Sequence, residues 1–194
     1  MLTQYEFVER LKNVLNYKTL FVRFAYGAPL TEENKQRFID ISSLNRKTHR
    51  LEVLRKVDNS FFAFDCNGLI MATLWDWKGD KTHFDGGAVY GAHGIPYLSP
   101  EDVIANLENK SNDFFRIQVG EIVWMGTHHV GVYIGNGFTI ECNNWEPEDI
   151  IPRDRVFLAG CKQDKVGYNR TDWDGHGKLP YVSYDGSYES AFAN

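Results

Sequence analysis

The sequence has few cysteines and no long apolar segment. Its three cysteines, Cys66, Cys142 and Cys161, are an odd and sparse set in 194 residues, so a disulfide-rich secreted scaffold is excluded. No apolar run reaches the roughly 18 residues that a membrane-spanning helix needs. The amino terminus lacks a basic segment followed by an apolar one, so we expect no secretory signal. We therefore expect synthesis in a reducing cytoplasm.

The sequence also lacks an excess of positively charged residues over negatively charged ones. The formal net charge is −5, which argues against a nucleic-acid-binding protein, because phosphate binding depends on a basic surface. Hydrophobic residues make up 43% of the chain and aromatic residues 14%, enough to build a folded core. The length and the lack of repeats or linkers predict a single domain over residues 1–194, which we expect to be a monomer.

Residues that typically cap the start of a helix occur at several places in the first hundred residues of the chain. Thr3 and Glu6 form a capping box that predicts a helix over residues 3–16. Thr31 caps a second helix that runs to about Leu44, and Ser99-Pro100 begins a third. Residues 18–26 are typical of a strand or extended loop. Residues 45–58 fit either a short amphipathic helix or an ordered loop.

A helix with a cysteine in its first turn follows Asp65, which is a suitable cap. Six residues fall at helical spacing on one predicted buried face: Cys66, Leu69, Ile70, Thr73, Leu74 and Trp77. The helix dipole and the unpaired first-turn amide groups favour a thiolate at this position. Gly68 costs helix stability, so we expect it to permit a close approach by another backbone or by a substrate.

The second half changes to the two-residue period of strands. Strands are predicted at residues 119–125, 129–134, 138–143 and 156–161, and residues 181–184 are expected to close the sheet. The turn at residues 135–137 decides which side chains meet. A three-residue turn pairs Ile134 with Phe138 and puts His129, Glu141 and Asn143 on one face. A two-residue turn sends Glu141 to the other face.

The chemistry that this arrangement predicts is thiol catalysis. Cys66 is the candidate nucleophile, His129 is its acid and base, and Glu141 or Asn143 orients the imidazole. Backbone amide groups near Cys66 are expected to stabilise the oxyanion. His128 points the other way from His129, and no fourth ligand at zinc-site spacing accompanies the histidine pair. We expect His83, His93 and His176 to be ordinary loop residues.

Three segments resemble the NlpC/p60 family of papain-like cell-wall cysteine peptidases. Residues 64–69 resemble its Asp-Cys-Ser-Gly nucleophile motif, with Asn67 in place of the usual serine. Residues 119–124 resemble its Gly-Asp-Ile/Leu-Val strand. Residues 129–135 match its His-Val-Gly-Ile-Tyr-Ile-Gly strand closely. The tail at residues 173–181 is similar to tails of phage and phage-derived members.

The resemblance implies an α+β, papain-like fold in which the nucleophile helix packs against an antiparallel sheet. It implies cleavage of amide bonds in peptidoglycan stem peptides, often between D-glutamate and a diamino acid, with no cofactor and no metal. The third catalytic residue of the family, usually histidine, falls on Glu141. The substrate-binding residues are expected to be Asp65, Asn67, His128 and Asn143.

The tail and the lack of a signal predict a phage lysin or a virion-associated enzyme without a separate wall-binding domain. Three alternatives stay open. The related CHAP amidases use Cys, His, Glu and Asn, which residues 141–144 resemble, so an N-acetylmuramoyl-L-alanine amidase is one. A degenerate wall-binding or virion module is the second. An intracellular papain-like amidase or transferase that acts on a protein is the third.

Overall fold

The computed structural model describes residues 1–144, 154–161 and 172–185. The helices of these ranges are α1 (Gln4–Val14), α2 (Glu32–Ile41), α3 (Thr48–Lys56), α4 (Cys66–Leu74) and α5 (Pro100–Asn106). The strands are β1 (Leu2–Thr3), β2 (Lys18–Phe21), β3 (Tyr26–Pro29), β4 (Phe61–Phe64), β5 (Glu108–Ser111), β6 (Ile122–Met125), β7 (His129–Gly135), β8 (Phe138–Cys142), β9 (Val156–Gly160), β10 (Gly175–Lys178) and β11 (Val182–Ser183).

The main sheet is antiparallel and has six strands in the order β5-β10-β6-β7-β8-β9. A smaller sheet, β2-β4-β3, lies beside it. Helix α4 contacts β7 and β8 on one side and α1 and β3 on others. This arrangement confirms the predicted α+β class, with the nucleophile helix packed against an antiparallel sheet. Across the described ranges, no helix combines the length and the apolar character that crossing a membrane requires.

The predicted helix starts are confirmed by their caps. Thr3 accepts a hydrogen bond from the Glu6 amide while the Glu6 carboxylate accepts one from the Thr3 amide, so the capping box is complete. Ser99 makes the same kind of box at α5. Thr31 caps α2, which ends at Ile41, before the predicted Leu44. For residues 45–58, where a short helix and an ordered loop were both considered, the structure has a helix, α3.

Helix α4 is buried on every side, not only on the predicted face. Asp65 Oδ1 accepts from the Gly68 amide at 2.6 Å and so caps the helix as predicted. A Cβ atom on Gly68 would lie 1.9 Å from the Ala25 carbonyl oxygen. The close approach expected at Gly68 is therefore made by backbone, and the helix sits tightly against the segment before β3.

The hairpin between β7 and β8 has the shorter of the two turns that the sequence allowed. Gly135 pairs with Phe138, so the turn has two residues, Asn136 and Gly137. Both have positive φ, 53° and 76°, as a type I′ turn requires. A bulge between Tyr133 and Gly135 then leaves Ile134 without a cross-strand partner. The extra residue in the bulge shifts the strand register by one, which compensates for the one residue that the shorter turn lacks.

The register beyond the bulge is the one that the three-residue turn predicted. Gly131 lies opposite Glu141, and Val132 lies opposite Ile140. Extending the same pairing by two residues along β7 reaches His129, which shares the face of Glu141. The structure therefore combines the two-residue turn with the side-chain placement that was expected of the three-residue turn.

Two predictions for the tail are wrong. His176 is not a loop residue: it lies in β10, pairs with Val123 of β6 and is buried. Residues 182–183 do not close the main sheet, because β11 pairs in parallel with β1 at the amino terminus. Both pairings join segments that are far apart in sequence, and a local pattern of residue types does not specify such partners.

Candidate active site

Cys66 lines an open cleft of about 520 Å³. The first turn of α4 supplies the thiol, and the loop before β7 supplies His128, whose carbonyl oxygen lies 3.6 Å from Cys66 Sγ. Phe21 and Met125 add apolar walls. The thiol is therefore buried in the chain on one side and open to a ligand-sized space on the other.

His129 is the first residue of β7 and is 6% exposed. Its Nε2 lies 2.5 Å from Oε2 of Glu141. Because a carboxylate only accepts hydrogen bonds, Nε2 carries a proton in this pair. The Cys66 side chain also acts on the His129 ring, whose pKa it raises, and with Nε2 bonded to Glu141 the ring nitrogen left for the thiol is Nδ1. The imidazole thus interacts with both the Cys66 thiol and the Glu141 carboxylate.

Burial by itself would lower the pKa of His129. The hydrogen bonds and negative charges of Cys66 and Glu141 outweigh that effect and raise the pKa from its ordinary 6.5 to about 9. The imidazole is consequently protonated at neutral pH. A protonated imidazole beside a cysteine is the partner that a thiolate nucleophile requires.

Of the two candidates for orienting the imidazole, Glu141 makes the contact. Its side chain is fully buried in β8. The side-chain oxygen of Asn143 accepts instead from the Asn144 amide at 2.7 Å. Asn143 nevertheless lines the cleft, as does the exposed side chain of His128, so both lie where a substrate contact is possible. Their roles as substrate ligands stay predictions.

The other two predicted substrate ligands are buried. The Asp65 oxygens accept from the amides of Gly68 and Phe24, at 2.6 and 2.8 Å, and burial raises the pKa of this carboxyl. The side-chain nitrogen of Asn67 donates to the Leu98 carbonyl. These hydrogen bonds hold the start of α4 in place. Among the described residues, neither Asp65 nor Asn67 lines the cleft. Substrate contact by Asp65 or Asn67 stays a prediction.

Trp173 belongs to the site, although sequence reasoning did not single it out. Its indole is fully buried and lies parallel to the His129 ring, with 5.2 Å between centroids and 10° between planes. Gly131 leaves room for it, since a Cβ atom there would lie 2.9 Å from the indole. The only sequence signal was its place in the tail motif, which gives no contact partner.

A second buried histidine–glutamate pair lies outside the cleft. His176 Nδ1 is hydrogen-bonded to Oε2 of Glu121, and its Nε2 donates to the Asp113 carbonyl at 3.1 Å. Burial raises the pKa of Glu121. No thiol or hydroxyl nucleophile accompanies this pair in the contacts described, so it ties β10 to β6 and to the segment before the Phe114–Arg116 turn.

The three cysteines have different settings. Cys142 donates to the Phe64 carbonyl at 3.4 Å within the core, and burial, followed by the charge of Asp65, raises the pKa of its thiol well above the ordinary value. Cys161 is buried too. Neither lines the cleft among the described residues. Within the same ranges, no cluster of histidine, cysteine, aspartate or glutamate has the arrangement of a metal site.

No protein-family model and no curated protein matches the sequence. Several solved structures align with it. The peptidoglycan hydrolase RipB from Mycobacterium tuberculosis aligns at 16% identity and TM-score 0.44, over 93% of this chain and 67% of that chain. A mutated form of the resuscitation-promoting-factor-interacting protein RipA aligns at 14% identity and TM-score 0.41, over 91% of this chain and 63% of that chain, which is less than two thirds of its length.

The third solved structure is the p60 domain of an antigen from M. avium subspecies paratuberculosis. It aligns at 15% identity and TM-score 0.41, over 90% of this chain and 96% of that domain. The three alignments therefore each include most of this chain.

Proposed function

We propose that this protein is a cysteine peptidase that hydrolyses amide bonds in the stem peptides of peptidoglycan. The observation that carries the proposal is that Cys66 and His129 line one open cleft while His129 is bonded to the buried Glu141. The choice of peptidoglycan is supported by the resemblance of residues 64–69 and 129–135 to the NlpC/p60 motifs.

In the proposed reaction, the Cys66 thiolate attacks the carbonyl carbon of the amide. The Cys66 amide, at the first position of α4, is the proposed donor to the developing oxyanion, because the Gly68 amide is already bonded to Asp65. His129 Nδ1–H protonates the leaving amine as the C–N bond breaks, which leaves an acyl-thioester on Cys66. His129, now neutral, removes a proton from water, and the resulting hydroxide equivalent hydrolyses the thioester. Glu141 holds the imidazole through Nε2 and stabilises its charge in both steps.

A second bond is a candidate because the third residue of the site is a glutamate. The contact of Glu141 with His129 is the feature that resembles the CHAP amidases, which cleave between N-acetylmuramic acid and L-alanine. We propose this amidase activity as the alternative. For either bond, delivery as a phage lysin or a virion-associated enzyme is supported by the tail resemblance at residues 173–181.

Digestion of purified peptidoglycan tests the proposal. Walls of Gram-positive and Gram-negative type are incubated with the wild type, Cys66→Ala and the control Cys142→Ala, which removes a buried thiol outside the cleft. We expect loss of turbidity with the wild type and Cys142→Ala, and a fall in rate of at least about 10³-fold with Cys66→Ala. Thermal melts verify that each variant is folded.

Mass spectrometry of the products separates the candidates. New amino termini within the stem peptide identify the peptidase, and free L-alanine termini with unsubstituted muramic acid identify the amidase. A folded wild type that releases nothing from any wall type would overturn both and would favour a wall-binding or virion module. Release of product by Cys66→Ala at the wild-type rate would overturn the role of this thiol.

A further inference from the structure

Among the described residues that line the cleft of Cys66, Arg23 is the one side chain with a permanent charge. The chain carries a net charge of −5, yet the charged side chain at this cleft is a cation. Among the described residues of the lining, none is an aspartate or a glutamate. A fixed cation in a cleft attracts ligand groups of the opposite sign. The lining therefore favours a substrate with a negative group near the scissile bond.

Arg23 is held in place through its own backbone. The buried side chain of Asn45 accepts from the Arg23 amide at 3.0 Å and donates to the Arg23 carbonyl at 3.2 Å. The next residue, Phe24, has a φ of 70°, and its amide donates to the buried Asp65. A positive φ at a bulky residue is strained, so these bonds impose the local path of the chain beside the thiol.

The guanidinium itself is available to a ligand. Arg23 is partly exposed and stacks over the Phe24 ring at 5.1 Å. In the described part of the chain, no carboxylate forms an ion pair with it. Burial raises the pKa of the nearby Asp65 carboxylate, and the positive charge of Arg23 acts on it in the opposite direction. The Asp65 oxygens, however, accept hydrogen bonds from the amides of Gly68 and Phe24. The stacking ring restricts the side chain, which lowers the entropy lost when an anion binds.

We propose that Arg23 is the carboxylate receptor of the cleft and that the preferred substrate carries a free carboxylate beside the amide that Cys66 attacks. A guanidinium binds a carboxylate through two parallel N–H···O bonds, whereas a carboxamide offers one acceptor and no charge. The inference rests on the proposed function and adds a specificity determinant to it. The substrate class is an acidic peptide rather than its amidated counterpart.

The test compares two probes that differ only at this group. They are L-alanyl-γ-D-glutamyl-L-lysine and the same tripeptide with D-isoglutamine, in which the carboxylate is a carboxamide. Hydrolysis is measured for the wild type, Arg23→Gln and Arg23→Lys. The matched control is Arg37→Gln, which removes another partly exposed arginine that stacks on an aromatic ring, Phe84, at 4.5 Å.

We expect Arg23→Gln to raise the KM for the carboxylate probe about 10- to 100-fold, the loss typical of a charged hydrogen-bond pair. Its kcat and its KM for the carboxamide probe should change by less than about threefold. Arg23→Lys should recover part of the preference, since it keeps the charge but not the paired donors. Arg37→Gln should behave as the wild type. Equal losses for both probes in Arg23→Gln would assign Arg23 a structural role and overturn the proposal.

A binding measurement on an inactive variant separates recognition of the carboxylate from hydrolysis. Calorimetric titration of the same probes into Cys66→Ala, with and without Arg23→Gln, reports carboxylate recognition without hydrolysis. Arg23-dependent binding with no cleavage by the wild type would support the receptor and count against peptidase action on this bond. Cleavage of both probes with equal KM would leave the peptidase and overturn the receptor. Absence of both binding and cleavage would overturn the receptor as well.

Discussion

The imidazole of His129 lies parallel to the indole of Trp173, with ring centroids 5.2 Å apart. The indole covers one face of the ring whose Nε2 is bonded to Glu141. Gly131, two residues along β7 from His129, provides the space that the indole fills. The stack therefore fixes the plane of the imidazole and keeps water from its bond to the carboxylate, which strengthens the electrostatic effect of Glu141 on His129.

Replacing Trp173 with leucine should impair catalysis more than replacing it with phenylalanine. Leucine removes the flat partner of His129, and misplacement of a catalytic group by about 1 Å can cost about 100-fold in rate. We expect kcat to fall about 10- to 100-fold in Trp173→Leu and less than about tenfold in Trp173→Phe. The measurement is kcat well below the melting temperature of each variant. A folded Trp173→Leu with wild-type kcat would show that the stack is only packing.

The raised pKa of His129 predicts where activity ends at high pH. The leaving amine takes its proton from the imidazolium, so kcat/KM should decline as pH rises through the His129 pKa of about 9. Glu141→Gln keeps an acceptor for Nε2–H but removes the charge, so its decline should begin at lower pH. Full pH–rate profiles measure both, and Glu33→Gln, an exposed carboxylate of α2, should match the wild type. Identical profiles for wild type and Glu141→Gln would contradict this account.

The same pKa links His129 to stability. Because the folded state raises the pKa from 6.5 to about 9, folding favours the protonated ring. The stabilisation is fully present below about pH 6.5 and is lost as pH rises through about 9. The free energy of unfolding should therefore fall more steeply across this interval in the wild type than in Glu141→Gln. Urea denaturation at a series of pH values measures the difference.

The pair of His176 and Glu121 should matter for stability and not for chemistry. Both side chains are almost fully buried, and removal of one member of a buried pair costs about 3–5 kcal/mol. We expect that loss for Glu121→Ala and a smaller one for Glu121→Gln, which keeps the volume and an acceptor. Urea denaturation gives the free energies, and kcat of the folded variants should stay within about twofold of the wild type. A stable Glu121→Ala would argue against the structural role.

Local signals predicted much of the frame because they depend on a few neighbouring residues. Capping at Thr3, Thr31, Asp65 and Ser99 involves groups three residues apart, so the sequence contains both partners. The pairing of His129 with Glu141 was harder, since it depended on the turn. The Asn136-Gly137 pair correctly indicated a two-residue turn. No sequence pattern indicated the bulge at Ile134, which puts His129 and Glu141 on the same face.

The sequence by itself determined the thiol on a capped helix, the histidine at the start of a strand and the alternation that makes the sheet. Tertiary structure alone decided that Glu141 rather than Asn143 reaches His129, that Trp173 stacks on it, and that Arg23 faces the cleft. The reason is distance along the chain: these contacts join segments separated by a dozen to more than a hundred residues. Their geometry depends on how α4, β7 and the tail pack, which no local pattern of residue types specifies.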